Sequence, residues 1–144
     1  ILGYAGLVGV GMYHTWKGEK AVKDLAESLE KDREATYQAR LRDTYGGTTP
    51  QETLQLYIDA VEKGDYELAS KYLIQERQAE EVQQLNALRL KNNLTIFSNI
   101  LKKARAGEQL NEKTFRMNSK ISSGPDYLID FVLYPNGVWK ITEI

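Results

Sequence analysis

Tyr127-Leu128-Ile129-Asp130-Phe131-Val132-Leu133-Tyr134-Pro135-Asn136-Gly137-Val138-Trp139-Lys140-Ile141 is a β-forming run, a turn and a second β-forming run. Branched and aromatic residues suit a pleated, half-buried surface. Asn136-Gly137 supplies the positive φ that a tight hairpin loop demands. By parity Tyr127, Ile129, Phe131 and Leu133 share one face, which makes the better core, and Leu128, Asp130, Val132 and Tyr134 share the other. Trp139 and Ile141 lie on one face of the following strand, which runs from Val138 to Ile144.

Upstream, Phe115, Met117 and Ile121 alternate with Arg116, Asn118 and Lys120, and Gly124-Pro125-Asp126 turns the chain into the hairpin. Three antiparallel strands are therefore expected. Before Gly107 the period is helical. Thr49-Pro50-Gln51-Glu52 combines an N-cap, a proline at the first helical position and a capping-box acid. It starts a helix from Pro50 to Lys63 with Leu54, Tyr57, Ile58 and Val61 on one stripe. Gly64 ends that helix, and Asp65 caps a second one that buries Leu68, Ala69, Tyr72 and Leu73. A longer helical region, from about Glu76 to Ala106, carries two stripes out of phase: Val82 and Leu85, then Leu90, Leu94, Phe97, Leu101 and Ala104. A bend near Asn92-Asn93 reconciles them. Helices followed by strands define an α+β domain over residues 48–144.

Glu62-Lys63-Gly64-Asp65-Tyr66, then Glu67-Leu68-Ala69-Ser70-Lys71-Tyr72-Leu73, and finally Asn136-Gly137-Val138-Trp139-Lys140-Ile141, form a pattern that resembles the nuclear transport factor 2-like (cystatin-like α+β) superfamily. The likeness is to small bacterial extracytoplasmic members, in which a hairpin ending in Gly-x-Trp-Lys-Ile packs its Trp on the helices. It spans Thr48 to Ile144 and implies fold rather than activity, because the superfamily hosts enzymes, transport factors, secretion components and binding modules. Typical members enclose a conical pocket with four or more long strands. Only three strands are read here, a departure from that pattern that leaves the presence of a ligand pocket open.

Residues 17–47 read as a helical stalk closed by the Gly46-Gly47 hinge. Ala, Leu, Glu, Lys and Arg dominate, and Glu19 to Lys23 and Glu27 to Lys31 are spaced as favourable i, i+4 pairs. Val22, Leu25 and Leu29 make only a thin stripe, which continues into Asp32, Arg33 and Thr36, so a solvated stalk is expected. Residues 1–16 carry no ionisable side chain except His14, and Lys17, Glu19, Lys20, Lys23 and Asp24 follow at once. That boundary predicts a hydrophobic anchor with its exit at Tyr13 to Lys17. Sixteen residues cover roughly 24 Å of a hydrocarbon core of roughly 30 Å, so a few apolar residues before Ile1 are expected to complete a single-pass span. Gly3, Ala5, Gly6 and Gly9 form a small-residue groove for helix–helix packing. Tyr13, His14 and Trp16 suit an interfacial belt.

Nineteen basic and twenty acidic residues are interspersed, so no field of one sign favours nucleic acid. With no cysteine and one histidine, thiolate catalysis, disulfides and sulfur-bound zinc are excluded, and no metal or cofactor is expected. No catalytic residue is assigned. Asp130 is the one acid worth weighing as a pocket base, since a carboxylate directed inward would be desolvated, but parity turns it outward toward solvent or a cross-strand cation. The expectation is a non-enzymatic protein-interaction or assembly subunit of a bacterial cell envelope, membrane-anchored with its domain extracytoplasmic, meeting a protein partner or a second copy. The alternatives are a pilin-like filament subunit, against which Ala5 stands where an acid is usual, and a hydrolase or isomerase using Asp130.

Overall fold

A computed structural model of the protein describes residues 2–144; Ile1 and the side chains of residues 2–14, 105 and 106 lie outside that description. The chain divides into two compact units, residues 1–39 and 40–144, taken separately below.

The first unit is helical. Helix α1 runs Leu2–Arg42, and from Thr15 to Thr36 every residue is exposed, as a thin apolar stripe requires. Its surface pairs are Lys23 with Glu27 at 3.9 Å and Arg33 with Glu30 at 3.4 Å. Exposed pairs of this kind contribute little to stability.

The second unit has four further helices, α2 Pro50–Glu62, α3 Tyr66–Lys71, α4 Gln75–Leu90 and α5 Leu94–Lys102. They precede four strands, β1 Arg105–Asn111, β2 Thr114–Ser119, β3 Tyr127–Leu133 and β4 Trp139–Glu143, in one antiparallel sheet of order β1-β2-β3-β4. The α+β class and its order stand. The strand count does not, because β1 makes a fourth strand where the expected helix was to run on to Ala106.

The start of α2 follows the signal in its residues. Thr49 accepts from the Glu52 amide at 3.1 Å, while the Glu52 carboxylate accepts from the Thr48 amide at 2.7 Å. Leu54, Tyr57, Ile58 and Val61 are all buried. Asp65 caps α3 by accepting from the Leu68 amide at 3.0 Å. The long helix breaks at Asn92, which adopts a φ of 56°, tolerable for asparagine because its short polar side chain suits the left-handed region. Beyond the break Leu101 and Ala104 reach the core, but Leu90 is 75% exposed, since it sits on the last turn of α4 with nothing over it.

On the sheet, Ile129 and Phe131 face the helices together with Met117 and Ile141, and all four are buried. Ser119, not Ile121, closes β2 on the inner face, donating to the Ile100 carbonyl at 2.5 Å. Trp139 is buried, edge-on to Phe115 at 6.3 Å, and its carbonyl accepts from the Thr53 hydroxyl at 2.9 Å. The far edge of β4 is covered: Trp139 donates to the Gly47 carbonyl, Ile141 to that of Tyr72, and Ile74 to that of Ile141, each at 2.9 Å.

Candidate functional site

Two groups of side chains in the second unit combine charge with burial. One is the strap that precedes α2. Lys140 is fully buried, with 0% exposure, although strand parity turns it away from the core. Its ammonium donates to Asp43 Oδ2 at 2.8 Å, to the Tyr45 carbonyl at 2.9 Å and to the Lys71 carbonyl. Burial pushes its pKa down, and Asp43 opposes that shift. Beside it, Asn136 donates to the Asp43 carbonyl at 2.6 Å. The hairpin turn thus does more than reverse the chain: only Gly137 takes a positive φ there, and the Asn136 side chain ties down the segment after α1. Gly46, read as half of a flexible hinge, is held closely instead. It has a φ of 149°, and a β-carbon there would collide with the Trp139 carbonyl and Val138. The strap is structural; its three acceptors already use all three donors of the ammonium.

The other group lines a cavity of about 400 Å³ formed by Glu81, Gln84, Ala87, Leu88 and Lys91 of α4 and its end, Phe97 of α5, Tyr127 of β3 and Ile144. The strand count had left the presence of a ligand pocket open, and this cavity supplies one. Its walls come from both sides of the break at Asn92, α4 on one and Phe97 of α5 on the other, with Tyr127 and Ile144 from the sheet. Phe97 anchors the wall, edge-on to Tyr57 at 6.5 Å and to Tyr127 at 6.2 Å.

Glu81 is the chemical centre of this cavity, at 3% exposure. Its Oε1 accepts from the Tyr57 hydroxyl. Its Oε2 makes no hydrogen bond among the described residues, and it is not sealed in protein either, for the only buried unpartnered side-chain atom among them is Arg77 Nε. Glu81 lines the cavity, and its second oxygen is the one left without a described partner. Burial raises the pKa of Glu81, opposed by the Tyr57 hydrogen bond and the Arg77 charge. Burial, then the Glu81 charge, raises that of Tyr57 as well. A carboxyl group so placed can bind a polar group of a ligand or hold a proton.

Asp130 lies elsewhere. It is opposite Arg116 in the β2–β3 register and forms a bidentate pair with it, Nε to Oδ1 at 2.6 Å and a terminal nitrogen to Oδ2 at 2.7 Å. This is the cross-strand partner that parity predicts, on the face away from the core. Of the N-terminal assignments, the side chains of Gly3, Ala5, Gly6, Gly9, Tyr13 and His14 lie outside the described residues. Trp16 is 57% exposed, with the Lys20 ammonium 5.8 Å from its ring centre. Among the described residues no helix is long and apolar enough to cross a membrane, and no group of three or more acids, histidines or cysteines could hold a metal ion.

Glu81 was missed by sequence reasoning, yet it left a trace. It stands four residues before Leu85 and seven before Leu88, on the stripe of α4 that faces inward. An acid on an apolar stripe is the signal that finds it. No protein-family model, curated protein or solved structure matches this chain.

Proposed function

We propose that the chain is a tethered, non-enzymatic subunit of a bacterial cell envelope, its domain extracytoplasmic and working by contact with a protein partner or a second copy. The observation that carries this reading is the run of residues 1–16, uncharged apart from His14, set directly against the charged and fully exposed stretch of α1. Residues without charge leave water readily, and an adjoining charged helix with no core of its own suits a spacer. The helices-then-sheet order and the buried Trp139 support treating residues 48–144 as a relative of the nuclear transport factor 2-like superfamily. Asp130 gives an enzyme little help, since both its oxygens are committed to Arg116 and it does not line the cavity.

Flotation with phosphatidylcholine vesicles tests the tether. The full chain is expected to rise with the vesicles, and a Leu7→Asp, Val8→Asp, Val10→Asp variant to stay behind. A wild-type chain that remains monodisperse and unbound in buffer overturns the reading. Self-association through Gly3, Ala5, Gly6 and Gly9 is tested by Gly9→Ile, which should reduce oligomer size in detergent. Filaments in negative stain would favour the pilin-like alternative instead.

A further inference from the structure

The cavity beside α4 has the size, lining and single polar anchor of a small-molecule site, and we infer that it binds a neutral molecule with a compact aromatic or alicyclic body and one hydroxyl group, which meets Glu81. The claim is independent of the membrane tether. Its volume, about 400 Å³, falls within the roughly 300–1,000 Å³ of such sites. Leu88, Phe97, Tyr127 and Ile144 supply apolar and aromatic walls, which favour a flat hydrocarbon body.

Polarity narrows the class further. Tyr57 occupies one oxygen of Glu81, and the other has no partner among the described residues while Glu81 lines the cavity, so one additional polar contact is available. An anionic ligand would meet the Glu81 carboxylate. A cationic one would meet Lys91, which lines the cavity, and would compete with the Arg77 charge that already acts on Glu81 from one turn away. A neutral group avoids both repulsions. Among neutral groups a hydroxyl both donates and accepts, so it serves Glu81 whether the carboxyl is ionised or protonated. A ketone or tertiary amide, which only accepts, serves only the protonated form.

The test follows site-resolved amide chemical shifts of the full chain, in buffer or in phosphatidylcholine nanodiscs, during titration with 2-naphthol and with 2-methoxynaphthalene, which has the same ring system without the O–H. The expected result is a saturable 2-naphthol response at Glu81, Leu88, Phe97 and Tyr127, with 2-methoxynaphthalene weaker by about tenfold, the factor that one net hydrogen bond to a charged group is worth. The paired variant Tyr57→Phe/Glu81→Leu removes both buried polar partners together and should bind the two probes equally. Ala87→Phe, at an exposed rim position, should abolish binding of both, and it decides the matter if the paired variant fails to fold. No saturation, equal affinity of wild type for the two probes, or undiminished binding by Ala87→Phe overturns the proposal.

Discussion

Lys140 shows how much one side chain can hold. With its ammonium out of water and three oxygens around it, removal of the cation leaves a carboxylate and two carbonyls facing one another without a donor. Lys140→Met should therefore lower stability by about 2–4 kcal/mol in urea unfolding, toward the low end because Asp43 retains some access to water. Asp43→Asn added to it should recover part of that loss. Arg116→Ala, by contrast, breaks a pair whose side chains are 37% and 26% exposed, and should cost about 1 kcal/mol or less. Glu81 makes a pH prediction. Its folded-state pKa is raised above the ordinary 4.5, so as pH climbs from 4.5 the unfolded chain gives up this proton before the folded one does. The stability that protonation contributes is complete below 4.5 and is lost as pH rises through the raised folded value. Glu81→Gln should flatten that falling limb in melting temperatures measured across acidic to neutral pH.

Elements differ in how openly their residues declare them. The start of helix α2 was legible to the residue because it is built from local chemistry, with a cap, a proline and a reaching acid within four positions. Strands β2, β3 and β4 were legible from alternation and from the Asn136-Gly137 turn. Strand β1 was not: Arg105-Ala106-Gly107-Glu108-Gln109-Leu110-Asn111 lacks β-branched and aromatic residues, and it is a strand because β2 offers it a partner, with two register irregularities on the way. The cavity was hidden because its lining comes from α4, α5, β3 and Ile144, which are distant in sequence and meet only in the tertiary fold. Asp130 was readable because a strand has only two faces, whereas the role of Glu81 needed the tertiary placement of Tyr57. Glycines test these packings. Gly107→Ala would drive a methyl group into the Phe115 ring, and Gly46→Ala would combine a collision with an unfavourable φ, so each should destabilise by about 2 kcal/mol or more. Gly18→Ala meets nothing within 4 Å and lies inside a helix, so it should raise α1 stability by about 0.5–1 kcal/mol, visible as increased helical ellipticity.

At the scale of the molecule, the two units should answer a protease differently. The exposed part of α1 has basic residues from Lys17 to Arg33 and no core to resist local opening, whereas residues 40–144 share one. Brief trypsin treatment followed by mass spectrometry should show cuts between Lys17 and Arg33 before any within residues 50–144. Within the second unit, the segments that cover β4 have a consequence for how this protein could join others. Its outward groups at Trp139 and Ile141 are already matched by Gly47 and by the stretch from Tyr72 to Ile74, while among the described residues β2 is the one strand paired with β1. The sheet is thus directional, with one margin closed and the other vacant. A foreign polypeptide recruited as a fifth ribbon would dock at residues 105–111 alone, and growth of that kind would proceed from a single side.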